Sequence, residues 1–378
     1  MRFLHLADLH LGKRVNEFSM IEDQKYVLKQ VLNIIDEHNV QSVLMAGDIY
    51  DKSVPSAEAV LLLNDFLTEL SKKGILTFVI SGNHDSAERI GFGSEIMSMA
   101  GIYMAKPYAG EVEKITIKDD IGDVNIYMLP FVKPAMVKHI HKEEEINTYE
   151  DAISVVMKSF KIDKAKRNIL IAHQYVSGAS RCDSENMSIG GIDEVSAEHF
   201  KDFDYVALGH LHGPQHMYSE NIRYAGTLLK YSFSEINHHK NALIVDVGEK
   251  GDICFEKIEM KPLHDMREIK GTYDELTSKS FYEGMATDDY FHVTLTDEDD
   301  KVNALALLRT IYPNIMKLDY DNKRTRQNQK IILMDNNGKE KSPTELFSEF
   351  YEMQNNVPMT DAQKEIVKEL VEKIWEVD

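Results

Sequence analysis

Short apolar runs alternate with longer amphipathic stretches through the first two thirds of the chain, the pattern of an α/β layered fold. Residues 3–6, 42–45, 76–80, 124–129, 169–171 and 205–208 are β-branched or apolar runs and predict strands. Between them, residues 20–38 carry Ile21, Val27, Leu28, Val31, Leu32 and Ile35 at helical spacing, and residues 55–73 carry Val60, Leu63, Phe66, Leu67 and Leu70. Both predict helices, the second closed by Gly74 as a C-terminal cap. From 224 to 258 the pattern turns to strands. Residues 242–247 and 253–258 flank a turn-like Gly-Glu-Lys-Gly-Asp and are expected in the second sheet of a sandwich.

Around Lys261 and Pro262 the composition shifts, and residues 290–295, 301–311 and 316–320 read as strand, helix and strand of a small α+β unit. Two start signals follow, Ser342-Pro343-Thr344-Glu345 and Thr360-Asp361-Ala362-Gln363, each with an N-cap hydroxyl three residues before an acid or amide. They predict two amphipathic helices. The first presents Leu346, Phe347, Phe350 and Tyr351 on one face, and the second Ile366, Val367, Leu370, Val371, Ile374 and Trp375.

The length of 378 residues suits two or three domains, and 43% hydrophobic with 28% charged residues excludes a disordered chain. No apolar stretch approaches the roughly 20 residues of a membrane span. His and Asp interrupt the first ten residues, so no signal peptide is expected and the protein is expected in the cytoplasm, away from membranes. Cys182 and Cys254 lie far apart and outside any CxxC, which excludes a disulfide framework and a cysteine zinc site. The net charge of −20 repels polyanions over the surface as a whole, so nucleic acid needs a local metal cluster or a basic partner to override it.

The candidate chemistry sits directly after predicted strands. Asp8 and His10 follow the first, Gly47-Asp48 with Asp51 the second, Gly82-Asn83-His84-Asp85 the third, His173 a later one, and Gly209-His210-Leu211-His212 the last. The carboxyl ends of strands in an α/β sheet share one edge, where these groups would converge. Two residues apart on an extended segment, Asp8 and His10 would share a side, as would His210 and His212. Imidazole, carboxylate and amide together suit a pair of borderline ions such as Mn, Fe or Zn better than Mg or Ca. If Asp48 bridges two ions, Asp8, His10 and His212 remain for one and Asn83, His173 and His210 for the other. The two carboxylates and a hydroxide then leave one positive charge for a phosphodiester. His84 is the candidate general acid for the leaving oxygen, with Asp85 or another carboxylate orienting its ring. His5 is expected in the core, His139 and His141 on the surface, and His238 and His239 at the rim. Lys323, Arg324, Arg326 and Lys330 form the one basic cluster that could touch phosphates, although a solvated face is the commoner role of such a run.

These motifs resemble the calcineurin-like metallophosphoesterase family. The longer segments Ala7-Asp8-Leu9-His10-Leu11-Gly12, Ser81-Gly82-Asn83-His84-Asp85-Ser86, the run 205–212 and Tyr231-Ser232-Phe233-Ser234-Glu235 are similar to the DNA-repair nuclease subunits within it. The resemblance implies a four-layer α/β/β/α metallophosphoesterase sandwich over residues 1–260, a small α+β DNA-capping domain over 261–338 and a C-terminal helical pair over 339–378. It implies two Mn ions per chain, Fe or Zn being possible, with 3′-to-5′ exonuclease activity on double-stranded DNA ends and endonuclease activity on single strands and hairpins. It also implies a homodimer through helices at 55–73 and 94–100, and an ABC-type ATPase partner docked on the terminal helices. A phosphoprotein phosphatase or small-molecule phosphodiesterase would use the same metals, but the phosphatase branch carries Arg-Gly where Asp51 is followed by Lys52-Ser53. A non-catalytic scaffold is disfavoured by the intact set of seven ligand-type residues with His84.

Overall fold

The computed structural model describes residues 1–185, 194–299, 301–323, 325, 347–352 and 358–367. Alternation along the strands decides the layers. In the strand Arg2–Leu6, Leu4 and Leu6 join Val27, Val31 and Ile35 of the helix Ile21–Glu37 and Leu63, Phe66 and Leu67 of the helix Ala57–Lys72. Phe3 instead enters a middle layer with Phe78, Ile126, Ile169 and Ile171. Ser42–Ala46 repeats the pattern, sending Val43 and Met45 to the helices and Leu44 and Ala46 to the middle. In Arg167–His173, Ile169 and Ile171 face the middle layer while Leu170 and Ala172 pack with Ile153 and Val156 of the helix Tyr149–Lys158. Two sheets thus meet face to face with helices outside each, the four-layer α/β/β/α arrangement. Burial on both faces explains why these strands read as continuous apolar runs.

The first sheet has the spatial order Ile253–Glu259, Asn241–Val247, Arg2–Leu6, Ser42–Ala46, Leu76–Ile80, Ile102–Met104. The second runs Gln215–Met217, Ser219–Tyr224, Tyr205–Gly209, Arg167–His173, Gly122–Leu129, Glu113–Asp119. This corrects one expectation: the hairpin 241–259 belongs to the first sheet, where Asn241–Val247 pairs antiparallel with Arg2–Leu6. Local pattern finds a strand but not its neighbour. The strands Arg2–Leu6, Ser42–Ala46 and Leu76–Ile80 are parallel, as are Gly122–Leu129, Arg167–His173 and Tyr205–Gly209.

The helix Ala57–Lys72 starts where Ser56 accepts from the Ala59 main chain at 3.3 Å. Gly74, at φ +71°, follows its last turn. A three-stranded sheet of Met266–Gly271, Tyr290–Leu295 and Ile315–Tyr320 follows, but the helix expected over 301–311 is confined to Ala304–Leu308. By compactness the chain divides into Met1–Thr294 with Val302–Asp319, and Leu295–Lys301 with Tyr320–Asp378. Within the second unit, residues 347–352 and 361–367 are helical. Thr360 and Gln363 form the anticipated box, with the Thr360 N–H on Gln363 Oε1 at 2.8 Å and the Gln363 N–H on Thr360 Oγ1 at 3.4 Å. The Ser342 signal with Leu346, and Leu370, Val371, Ile374 and Trp375, lie outside the described residues. Among the described residues no helix is long and apolar enough to cross a membrane.

At the edge where Arg167–His173 begins, Arg167 ties the sheets together. Its guanidinium donates to both Asp119 oxygens, at 2.9 and 2.5 Å, to the Gly122 carbonyl of the same sheet, and to Gly248, which follows a strand of the other. Arg167 holds the Asp119 carboxyl well below the usual carboxylate range. A carboxylate lowered in this way stabilises the fold above its unfolded pKa, near 4, and loses that contribution as the pH falls toward its folded value. Asp119→Asn is expected to destabilise the protein by about 3 kcal/mol at pH 7 by leaving a buried charge unpaired. Urea unfolding over a pH series should show the gap to wild type narrowing below about pH 4; equal stability at pH 7 would contradict the assignment.

Candidate metal centre

The carboxyl ends of five strands, where the two sheets meet, carry the residues predicted as metal ligands together with His84 and Asp85, His173 being the last residue of its strand. The approach is not the extended one expected. Asp8, His10, Asp48 and His210 have φ of 53, 45, 48 and 109°, so left-handed turns, not strand alternation, turn their side chains inward. Such conformations cost about 1–3 kcal/mol each and persist where surrounding bonds over-determine them. Here the Asp8 N–H donates to Gly47 O at 3.1 Å, that of His10 to Asp48 O at 2.9 Å and that of Leu11 to Ile49 O at 2.9 Å. Gly82 and Gly209 permit the crowding: a Cβ on Gly82 would overlap the Asp48 carboxylate, and one on Gly209 the Ala46 carbonyl.

One group joins Asp8, Asp48 and His173, and another His10, Asp48 and His84; within each, the possible ligand atoms lie within 4.8 Å of one another. Asp48 is shared. Its Oδ2 lies 3.4 Å from His173 Nε2 and 3.8 Å from His10 Nε2, while Oδ1 accepts the His84 N–H at 2.9 Å. Asn83 Oδ1 stands 2.9 Å from both His173 Nε2 and His210 Nδ1. Asp8 accepts the His210 N–H at 2.9 Å, and His10 and His212 face each other, Nε2 to Nε2, at 3.2 Å.

The outer nitrogens are held by the protein. His173 Nδ1 donates to Ala46 O at 2.8 Å, which points Nε2 toward Asn83 and Asp48. His212 Nδ1 donates to Ser184 Oγ at 2.7 Å, and that hydroxyl donates to Glu235 at 2.5 Å. This is how proteins orient imidazoles that bind metals. His10 Nδ1 is buried without a hydrogen-bond partner.

The electrostatics call for a cation. Burial pushes the Asp8 carboxyl well above the usual range; His173 opposes this and Asp48 adds to it. For Asp48, burial acts upward too, but His173, His10 and His84 outweigh it and hold the carboxyl low. Burial alone would lower His173, yet Asp48 raises it to about 9, while burial keeps His10 well below its ordinary value. One imidazolium therefore balances one of two buried carboxylates, and no Lys or Arg among the described residues pairs with either. Divalent ions fit the donor set and remove the imbalance.

His84 is held differently from the expectation. Its Nδ1 donates to the Asp51 main-chain carbonyl at 2.9 Å, so a backbone oxygen orients the ring, which stands edge-on to His10 with centroids 4.8 Å apart. Asp85 is engaged elsewhere: its carboxylate accepts the N–H groups of Ile49 (3.0 Å), Tyr50 (2.9 Å) and Gly82 (2.9 Å), bracing two ligand loops against each other. Burial, then the Asp48 charge, pushes it up to about 6. His5 lies in the core, bonded to the Tyr205 hydroxyl at 2.8 Å. Lys323 is exposed, its main-chain N–H on Glu298; Arg324, Arg326 and Lys330 lie outside the described residues.

Sequence reasoning missed the support behind His212. Lys240 donates to Glu235 at 2.5 Å and to the His212 carbonyl at 2.9 Å, and Glu185 accepts the His212 N–H at 2.6 Å. Glu235 closes the noted 231–235 segment, but nothing marked Ser184 or Lys240.

Carboxylates, imidazoles and an amide gathered at the strand ends of a two-sheet sandwich mark a metal-dependent phosphoesterase. The chain belongs to the calcineurin-like phosphoesterase family, whose model matches residues 1–214. It is similar to the SbcD subunit of the SbcCD nuclease from Staphylococcus epidermidis, with 31% identity over 378 residues that cover 98% of each chain. A second family model, the type 5 capsule protein repressor C-terminal domain, matches residues 262–355. Similar solved structures include a dimetal phosphatase from Danio rerio, at TM-score 0.40 and 11% identity over 70% of this chain and 98% of that one. Another is the protein TT1561 of Thermus thermophilus, at TM-score 0.39 and 12% identity over 68% of this chain and 98% of that one. The family's fold implies divalent metal ions. Gly82→Ala, which forces a methyl group against Asp48, is expected to weaken Mn binding at least about tenfold, the scale of disturbing a ligand's support. Isothermal titration measures it, and unchanged affinity would contradict the packing described.

Proposed function

We propose that the chain is the metal-dependent DNA nuclease subunit of an SbcCD complex. The observation that carries this reading is the convergence of Asp8, His10, Asp48, Asn83, His173, His210 and His212 beside a fixed His84, in a chain similar to the SbcD subunit of the SbcCD nuclease over nearly all its length. Asp8, His10 and His212 would hold one ion and Asn83, His173 and His210 the other, with Asp48 shared, since its Oδ2 approaches a histidine of each set. When bound there, such ions, Mn with Fe or Zn as alternatives, would supply Lewis-acid activation of water and charge stabilisation for an in-line displacement.

The chain's own residues supply the proton. Because His84 Nδ1 donates to Asp51 O, Nε2 is the nitrogen that takes up a second proton, and from there the imidazolium passes it to the leaving oxygen of the cleaved strand. Asp85 serves as a brace of the loops that carry Asp48 and Asn83. The substrates are double-stranded ends, cut 3′ to 5′, and single strands and hairpins, cut internally, in cytoplasmic DNA repair, recombination and replication.

Residues 1–260 form the nuclease domain, 261–338 a DNA-capping domain carrying Lys323, Arg324, Arg326 and Lys330 as DNA contacts, and 339–378 the segment that docks on SbcC. The exposure of Phe347, Phe350 and Ile366 supports the docking role. A homodimer fits the exposed apolar side chains of Val60, Leu61, Phe92, Ile96 and Met99, the last three all at least 75% accessible. The charge of −20 leaves much of the DNA affinity to the ATPase partner.

His84→Ala is expected to keep its Mn while losing about 10²–10⁴-fold in Mn-dependent digestion of end-labelled duplex, hairpin and single-stranded DNA. An undiminished rate would remove His84 from the chemistry. Hydrolysis of bis-p-nitrophenyl phosphate without DNA cleavage, even after addition of SbcC and ATP, would favour a small-molecule phosphodiesterase. Ile96→Asp with Met99→Lys is expected to convert the dimer to a monomer in light scattering; an unchanged mass would move the interface elsewhere.

A further inference from the structure

His10 lacks the outer support that His173 and His212 have. Its Nε2 faces Asp48 and His212, but its Nδ1 is buried without a hydrogen-bond partner. An Asp51 carboxylate oxygen stands 3.7 Å from Nδ1 and is engaged by Lys13 Nζ at 2.8 Å. No hydrogen bond at the outer nitrogen therefore orients this imidazole. What orients it must act on the left-handed turn at residue 10 or on the faces and edges of the ring.

Two buried side chains from distant parts of the chain do both. Gln24 lies at the start of the helix Ile21–Glu37, 1% exposed on a face otherwise filled by Val27, Leu28 and Val31. A buried amide is costly unless its donors and acceptor are all satisfied, and here the loop that carries His10 satisfies most of them. Gln24 Nε2 donates to His10 O at 2.8 Å and to the Tyr231 hydroxyl at 3.0 Å, with Leu9 O 3.4 Å away, while Gln24 Oε1 accepts the Gly12 N–H at 2.9 Å. The Tyr231 hydroxyl in turn donates to Leu9 O at 2.7 Å. Burial pushes that hydroxyl up, so it stays protonated and keeps donating. The Tyr231 ring stands nearly edge-on to His10 and to His212, with centroids 5.8 and 6.2 Å apart. The amide thus fixes the turn, and the phenol fixes the amide and abuts both rings.

We propose that Gln24 and Tyr231 are positioning residues for the ion assigned to His10 and His212, acting through the backbone of residues 9–12 and the two imidazole rings. The proposal rests on the assignment of those histidines to one of two ions in the reading above and is independent of the substrate. The neighbouring Asp23 provides a contrast. Its carboxylate accepts the Tyr290 hydroxyl at 2.7 Å and the His264 N–H at 3.1 Å, so it anchors the strand Tyr290–Leu295 to the same turn of helix.

The test is Mn binding to the full chain, followed by calorimetry and by the electron paramagnetic resonance of bound Mn, with thermal unfolding of each metal-free protein alongside. Wild type is compared with Gln24→Met, Tyr231→Phe, Tyr290→Phe and His10→Ala. Gln24→Met keeps the bulk and removes the bonds to His10 and Gly12; it is expected to weaken one of two ions at least about tenfold, the scale of disturbing a ligand's support, and to spare the other. The signal of a coupled Mn pair should give way to that of a single ion. Tyr231→Phe is expected to weaken the same ion by a smaller factor and carries the test if Gln24→Met does not fold. Tyr290→Phe removes a buried bond from the same helix turn and is expected to lower the unfolding temperature while leaving both affinities unchanged. Equal weakening of both ions in Gln24→Met, or the same loss in Tyr290→Phe, would reduce Gln24 to a structural role and overturn the proposal. Unchanged affinities in Gln24→Met and Tyr231→Phe, with one ion lost in His10→Ala, would overturn it while leaving the ligand assignment intact. Two ions retained in His10→Ala would overturn the assignment and the proposal together.

Discussion

Two carboxylates buried side by side are the constraint on which the rest of this structure depends. Asp8 and Asp48, at 0 and 2% exposure, lie at the junction of two sheets, where imidazoles and main-chain N–H groups face them. Burial without a counter-charge is costly enough that such groups shift their protonation or bind a cation. Here the raised Asp8 and the paired Asp48–His173 show both responses, and the surrounding nitrogen and oxygen donors are those a borderline divalent ion prefers.

Much of the architecture serves to hold that arrangement against its own strain. Four ligand-type residues adopt left-handed backbone, and cross-loop bonds such as Asp8 N–H to Gly47 O keep them there. Gly82 and Gly209 allow loops from different strands to approach more closely than any side chain would permit. Asp85 joins the second and third loops through three main-chain donors, and the Lys240, Glu235 and Ser184 chain orients His212 from behind. Residues away from the reacting atoms therefore set the geometry of those that face them.

The strands and the gathering of the candidate residues at one edge were legible because both follow local rules. Continuous apolar runs mark strands buried on two faces, and chemistry placed directly after such runs must gather at one edge. What escaped depends on contacts distant in sequence. The hairpin 241–259 reads as strands wherever it pairs, so its place beside Arg2–Leu6 could not be inferred. The turn at Asp8 to His10 breaks strand alternation, and no local pattern separates a left-handed Asp from an extended one. The His84 ring is oriented by a backbone carbonyl at Asp51, a group that every residue carries and that sequence cannot distinguish. Ser184 and Lys240 are unremarkable in the chain until the fold brings them behind His212.

On the proposed reading, an acidic nuclease subunit concentrates positive charge at one edge, through bound ions, and leaves broad DNA affinity to its partner. Everything in that account depends on two ions sharing Asp48. Anomalous diffraction at the manganese edge, from crystals grown with Mn, tests this most directly. The account predicts two peaks, one within ligand distance of Asp8, His10 and His212, the other of Asn83, His173 and His210, with Asp48 contacting both. A single peak, or peaks away from Asp48, would contradict it.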